Sequence, residues 1–374
     1  MANLYFHYPF CKQACHYCNF HFSTSLTQKN RMWKALKNEL FQRTDELQSP
    51  IESVYFGGGS PSLLNAEEIQ NIMDRIRNLV DVNPVLEVTV EVNPDDVSAA
   101  YLKGLKAAGV NRLSLGVQSF IDRDLTLMNR AHDSAQSLQA LEEVSTHFTN
   151  YSLDLIYGMP YSNNAEWEQN LETALSFTPP HVSSYALTVE PKTALDHQVK
   201  KGEVLLLPEE AVHEHYQLMI QKMEDKGYVN YEFSNFGKPG FSSVNNQNYW
   251  NGKPYVGIGP AAHSYDGVSI RKWNVANNLL YLKAIENGKL PSEEEKLTKR
   301  DRYNEYVMTG LRTIEGISLE FVESTFGSTY AKYLEAQAAR QLETQDLYWD
   351  GDHLKIAKSA KFLTDGLAAN LFKV

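Results

Sequence analysis

From residue 3 to about residue 226 the chain repeats one alternation of hydrophobic pattern. Short runs of β-branched and aromatic residues fall at Leu4–Tyr8, Ser53–Phe56, Glu87–Asn93, Arg112–Val117, Tyr151–Ile156 and Val182–Leu187. Such runs favour strands. Between them apolar residues recur every three or four positions, as in Trp33/Leu36/Leu40, Ile69/Ile72/Met73/Ile76, Leu102/Leu105 and Leu138/Leu141/Val144. That spacing gathers them on one face of a helix. The last helix of the series is predicted from Pro208 to Lys226, opening on Pro and two Glu that suit a helix N-terminus. Strands alternating with helices predict an α/β fold with a parallel sheet and helical crossovers, as an open sheet or an incomplete barrel. In either form the ligand belongs at the C-terminal ends of the strands.

The pattern then changes. Residues 227–290 are rich in Asn, Tyr, Gly and Ser and read as irregular or short-stranded. The run Glu293-Glu294-Glu295 marks a boundary. Helical spacing returns at about 299–311, 318–326 and 328–344, and 347–356 reads as a hairpin turning on Asp350-Gly351. The expected organisation is therefore 1–226, a connecting segment 227–290, and a helical, winged-helix-like domain 291–374.

Composition narrows the function. Hydrophobic residues make up 43% of the chain and charged ones 22%, ordinary values for a water-soluble protein. No apolar run is long enough to span a bilayer, and Met1–His7 lacks the basic start and apolar run of a secretory signal. The expectation is a cytoplasmic protein. A net charge of −11 repels a phosphate backbone, so nucleic acid is not an expected partner and the C-terminal domain reads as a lid or packing unit.

The three cysteines of the chain all fall in Cys11-x3-Cys15-x2-Cys18. An odd, clustered set does not read as a disulfide framework; it reads as a metal site. Three thiolates can hold three corners of a [4Fe–4S] cluster and leave the fourth iron open. The alternative is a structural zinc site with His7, His16 or His21 as fourth ligand, although zinc motifs usually pair two separated knuckles.

The segment Tyr5-x-His7-x-Pro9-Phe10-Cys11-x3-Cys15-x-Tyr17-Cys18 resembles the N-terminal signature of the radical-SAM superfamily. More narrowly it resembles the branch that holds oxygen-independent coproporphyrinogen III oxidase and the haem chaperone HemW. The resemblance implies an incomplete parallel (β/α)6 barrel, a cluster on Cys11, Cys15 and Cys18, and S-adenosylmethionine on its open iron. It also implies cofactor contacts from Gly58, Gly59 and Ser60 in the Gly57-Gly58-Gly59-Ser60-Pro61 turn. Further contacts would come from Glu91, Gln118, Arg130 and Asp154, with Tyr5 and Tyr17 flanking the cluster and adenine. On this reading Arg130→Ala and Gln118→Ala weaken cofactor binding and leave the cluster intact.

Two departures separate the members of that branch. The oxidases resemble one another in a further cysteine two residues after the third ligand, where this chain has Phe20, and in a longer stretch before the cysteines, where this chain has ten residues. Both favour the chaperone side. Against it, the chaperone-like segment H-N-x-x-Y-W, associated with haem binding, appears here as Asn245-Asn246-Gln247-Asn248-Tyr249-Trp250. Asn245 is a poor axial ligand for haem iron, and His263 is the nearby imidazole. The expected partners are thus haem or a porphyrinogen and a haem-accepting protein, with any membrane association peripheral and through that acceptor. The oxidase, which converts propionate side chains to vinyl groups, is the alternative.

Overall fold

A computed structural model describes residues 2–47 and 50–374 of the chain. Six parallel strands are neighbours in chain order: β1 (Ala2–Tyr8), β2 (Ile51–Gly58), β3 (Val82–Val92), β4 (Arg112–Gln118), β5 (Tyr151–Tyr157) and β6 (His181–Ala186). The crossovers are α1 (Lys29–Gln42), α2 (Ala66–Leu79), α3 (Ala99–Ala107), the pair α4 (Asp122–Leu127) and α5 (Ser134–His147), and α6 (Asn164–Ser176). Then α7 (Ala194–Lys200) and α8 (Glu209–Asp225) follow β6. Starts are set locally: Asn65 and Asp133 each close a capping box at the heads of α2 and α5.

Every strand alternates, and the alternation decides where the site lies. Leu4, Phe6, Val54, Phe56, Val88, Val90, Leu113, Leu115, Leu153, Leu155 and Val182 are buried in one core with Leu36, Ile72, Leu102 and Leu141 of the helices. The intervening residues are Asn3, Tyr5, Ser53, Tyr55, Glu87, Glu91, Arg112, Ser114, Ser152, Asp154, His181 and Ser183. A parallel sheet covered on both faces by helices reads as continuous apolar runs. Here the inner face is polar instead, and it encloses the cavity described below.

Residues 227–290 do more than connect. They supply β7 (Val229–Glu232) and β8 (Asn235–Gly237) beyond β6, and β9 (Tyr255–Ile258), β10 (His263–Tyr265) and β11 (Ile270–Asn274) beyond β1. The strand β9 pairs parallel with β1, so β1 is interior and the parallel set has seven members. The strands at the two ends of the order, β7 and β12 (Ser292–Lys296), do not pair with each other, and the barrel stays open. The Glu293–Glu295 run lies within β12, paired to β11 as the edge of this sheet, with Arg271 bound to Glu295 at 3.3 Å.

Between β8 and β9 the chain forms the short helix α9 (Val244–Trp250), which lies against the N-terminal halves of the strands. Glu87 accepts the backbone N–H groups of Val244 and Asn245, each at 3.1 Å, and Asn248 Nδ2 donates to Asn3 Oδ1 at 2.7 Å. A second core gathers Tyr303, Val307, Leu311, Val322, Leu334 and Leu354. It is built from helices Lys299–Arg312, Leu319–Phe326 and Ser328–Glu343 and a three-stranded sheet, two of whose strands form a hairpin with Gly351 at its tip at φ +64. The helix-then-hairpin order matches the winged-helix-like expectation. Among the described residues no helix is long and apolar enough to cross a membrane.

Candidate functional site

The C-terminal ends of β1 to β6 surround a cavity of about 520 Å³. That volume lies within the roughly 300–1,000 Å³ of cofactor sites, more than a tight strand–helix turn leaves. Cys11, Cys15 and Cys18 all line it, as free thiols.

Backbone bonds hold the cysteine loop at both ends and across its middle. Cys11 N–H donates to Ser23 O at 3.1 Å, and Ser23 N–H returns to Pro9 O at 2.9 Å. Gln13 Nε2 reaches Asn129 O and Oδ1 at 3.0 and 2.9 Å, and Asn129 Nδ2 donates to Ala14 O at 2.8 Å. His16 N–H donates to Met128 O at 3.0 Å. The loop is therefore clamped onto the turn after α4 without using the thiols. Burial pushes the Cys11 thiol up to about 11 and the Cys18 thiol upward too. Ligation by thiolates would release those protons.

The histidines offered as a zinc ligand are occupied elsewhere. His7 Nε2 bonds His21 O at 2.8 Å, His16 Nδ1 bonds Leu127 O at 2.9 Å, and His21 Nε2 bonds Asn278 Oδ1 at 2.8 Å. None of the three lines the cavity. Among the described residues no three His, Cys, Asp or Glu side chains close on one point as a single ion requires. Three thiols on one cavity wall offer three ligands to a multi-atom cluster.

Gly58, Gly59 and Ser60 also line the cavity, and the glycines are needed for contact with the root of the cysteine loop. A Cβ on Gly59 would stand 2.6 Å from Phe10 O. In that space Gly59 N–H donates to Tyr8 O at 2.9 Å and Ser60 N–H to Phe10 O at 2.7 Å.

Beside this turn stands the inner-face carboxylate of Glu91, whose Oε1 a Cβ on Gly57 would meet at 2.9 Å, and Asp154 lies on β5. Glu91 accepts from Tyr55 Oη at 2.9 Å; Asp154 accepts from Ser114 Oγ at 2.9 Å. Burial pushes Glu91 up to about 8 and raises Asp154 as well. Folded chain thus holds a proton on Glu91 between about pH 4.5 and 8 that unfolded chain has lost. Stability of the cluster-free protein should fall as pH rises through that window. The Glu91 share is on the order of 3 kcal/mol, allowing for a carboxylate that opens onto the cavity. Thermal melts at pH 6 and 8.5 check this: Glu91→Gln should lose less stability than wild type, and equal losses would refute the assignment.

Arg130 joins the pieces. Its Nη2 donates to Asn93 Oδ1 at 2.9 Å and Gly116 O at 2.8 Å, and its Nη1 lies 3.4 Å from both Cys15 Sγ and Tyr17 Oη. Its Nε is buried without a hydrogen-bond partner, whereas the Nε of Arg112, which also lines the cavity, lies 3.9 Å from the buried Glu87 carboxylate. The unpaired Arg130 donor suits an anionic ligand group. Because the guanidinium touches a cluster-side thiol, Arg130→Ala should also shift the cluster's potential while leaving the cluster in place. Gln118 reaches the cavity from the end of β4 with φ +70.

Tyr17 lines the cavity, but Tyr5 does not. Tyr5 is half-buried on the same face, stacked on Tyr55 at 6.0 Å, bonded to His7 Nδ1 at 3.3 Å and lying under Gly57. Asn245 is 3% exposed inside the barrel, close to Ser53 and Glu87. An axial ligand cannot be presented from there. Tyr249 packs edge-on against Tyr255 at 4.6 Å, and Trp250 lies under the Arg312 guanidinium. His263 is exposed on β10 beside Trp273, outside the cavity. Sequence reasoning missed Asn93, Tyr55, Arg112, Ser114 and Asn246, all in the cavity wall. For the strand residues the missed signal was period-two alternation with polar inner positions.

Comparisons with known proteins agree with this geometry. The family described as Radical SAM superfamily matches residues 5–174, and HemN C-terminal domain matches 297–363. A protein named heme chaperone HemW from Bacillus subtilis is 36% identical over 342 residues, covering 90% of this chain and 88% of its own. One of the same name from Mycobacterium tuberculosis is 32% identical over 375 residues, covering 98% and 94%. Coproporphyrinogen III oxidase (HemN) from Escherichia coli superposes with a TM-score of 0.84 at 22% identity, covering 100% of this chain and 90% of that one, a likeness of fold alone. With its cysteine loop, its glycine turn and this near full-length similarity, the chain belongs to the radical-SAM superfamily, whose members use a [4Fe–4S] cluster and S-adenosylmethionine, and within it to the HemW-like family.

Proposed function

We propose that the chain is a haem-trafficking protein that binds haem, holds a cluster and S-adenosylmethionine beside it, and delivers the haem to an acceptor protein. The observation that carries this is the near full-length similarity to relatives named as heme chaperones. Phe20 supports it. In the position where the oxidase pattern has its further cysteine, this chain puts a phenyl ring that is 68% exposed and lines the cavity rim. An exposed aromatic face there suits a flat apolar macrocycle.

In this reading Cys11, Cys15 and Cys18 hold the cluster. The bound cluster supplies one-electron chemistry at the sulfonium of S-adenosylmethionine. Gly58, Gly59 and Ser60 shape the wall beside it, and Arg130 sets positive charge against the thiolates and a carboxylate. Glu91, beside the glycine turn, and Asp154 offer carboxylates as hydrogen-bond acceptors, and Gln118 closes the end of β4. A reducing, cytoplasmic setting belongs to the same reading, since it keeps all three thiols available. Asn245 has no part as an iron ligand; His263 is the imidazole to test.

Anaerobically reconstituted protein titrated with haem, with and without S-adenosylmethionine, tests the proposal by absorbance. Saturable binding near one haem per chain is expected, weakened by His263→Ala if that ring is the ligand. No saturable binding, together with turnover of coproporphyrinogen III, would replace the chaperone by the oxidase.

A further inference from the structure

A second cavity, about 210 Å³, lies in the seam between the barrel and the C-terminal core. Backbone bonds knit the seam: Phe233 N–H donates to Arg312 O at 2.8 Å and Ile314 N–H to Tyr231 O at 3.0 Å. In a chain of net charge −11, four cations line this one cleft: Arg312, Lys355, Lys358 and Lys361.

Three of them have carboxylate partners. Arg312 pairs with Asp365 at 2.6 Å, Lys355 with Asp350 at 2.9 Å, and Lys358 with Glu224. Lys361 has none within salt-bridge distance among the described residues. Its Nζ donates to the side-chain oxygen of Asn230 at 2.6 Å, which uses one of three donors. The remaining acid of the cleft, Glu232, is bound by Ser234 N–H at 3.2 Å and by the Asn235 side chain. Lys361 is half-buried, and the nearby Glu224 carboxylate is already bound to Lys358, so its ammonium is only partly compensated; burial pulls its pKa down, the direction that a bound anion would reverse.

We propose that this cleft is a binding site for a small oxyanion of the phosphate class, with Lys361 as its central ligand. The volume sets the class. It is several times the roughly 30 Å³ share of one water and below the about 300 Å³ at which drug-sized ligand sites begin. Inorganic phosphate or a small phosphate monoester fits, whereas a nucleotide or tetrapyrrole does not. An anion here touches side chains of both cores and holds them together, so its binding adds to the stability of the whole chain. The site shares no residue with the cysteine cavity.

The cluster-loaded full-length protein is titrated with inorganic phosphate by calorimetry and by thermal melts, against sodium chloride at matched ionic strength. Saturable binding near one per chain and a rise in Tm beyond the chloride control are expected. Lys361→Met should weaken phosphate at least about tenfold, with cluster absorbance and S-adenosylmethionine affinity unchanged, and Lys361→Arg should retain most of it. Should Lys361→Met be too unstable to titrate, Lys355→Gln at the rim should still lower affinity about threefold. Phosphate acting no differently from chloride, or binding equally well to these variants, would overturn the site.

Discussion

Replacing any one of Cys11, Cys15 or Cys18 with Ala should leave the protein folded and without its cluster. The chain has no other cysteine that could move into the vacated place. The loop does not depend on the thiols for its shape: the Cys11–Ser23 pair, the Gln13–Asn129 bonds and the His16–Met128 bond all persist in each variant. The far-ultraviolet circular dichroism of the cluster-free protein should therefore match wild type, while iron, acid-labile sulfide and visible absorbance after reconstitution fall to background. The same metal analysis separates the cluster from a zinc site, since wild type should carry iron and sulfide in near-equal amounts. A variant that retains wild-type iron and sulfide would show that its cysteine is not a ligand.

Arg130→Met should be the most damaging change outside the cysteines. It removes the group that spans Cys15, Tyr17, Asn93 and Gly116. Losing it strips the Asn93 and Gly116 oxygens of their donor, at about 1–3 kcal/mol each where the acceptor stays buried. It also removes the orphaned Nε donor that a ligand carboxylate would use. The expected result is S-adenosylmethionine affinity lower by about 100-fold, in line with loss of a charge-assisted hydrogen bond from a rigidly held donor. The cluster should remain but become harder to reduce, because a cation beside Cys15 is gone. Arg130→Lys should recover part of the potential but little of the affinity, since an ammonium cannot span four partners as a planar fork does. Equilibrium dialysis and a redox titration read the two effects separately; unchanged cofactor affinity in Arg130→Met would remove Arg130 from the binding site.

The six parallel strands were legible, with every end within two residues except the start of β3 at Val82, because short apolar runs separated by three-and-four spacing leave little freedom of register. The cysteine loop was legible because its spacing carries chemistry by itself. What escaped the sequence depends on partners far away in the chain. The parallel pairing of β9 with β1 joins Tyr5 to Gly257, and nothing local in Tyr255–Ile258 announces it. The Glu293–Glu295 run reads as a boundary because it is all polar, yet an exposed edge strand has the same composition. Tyr5 shares the inner face yet stays out of the cavity wall, because alternation says which face a residue is on, not how far along the barrel axis it lies; Asn245 sits on α9, where strand alternation gives no guide.

The interior position of β1 also has a consequence for synthesis. Its neighbour β2 is available early, but β9 leaves the ribosome only after most of the barrel has been made. The cysteine loop that hangs from β1 is also fastened late, through Met128 and through the bond from Leu195 N–H to His16 O. A nascent chain therefore carries three reactive thiols next to an unpaired strand edge for much of its translation. The surroundings of the cysteine loop therefore take their final form only after β9 has docked, late in synthesis.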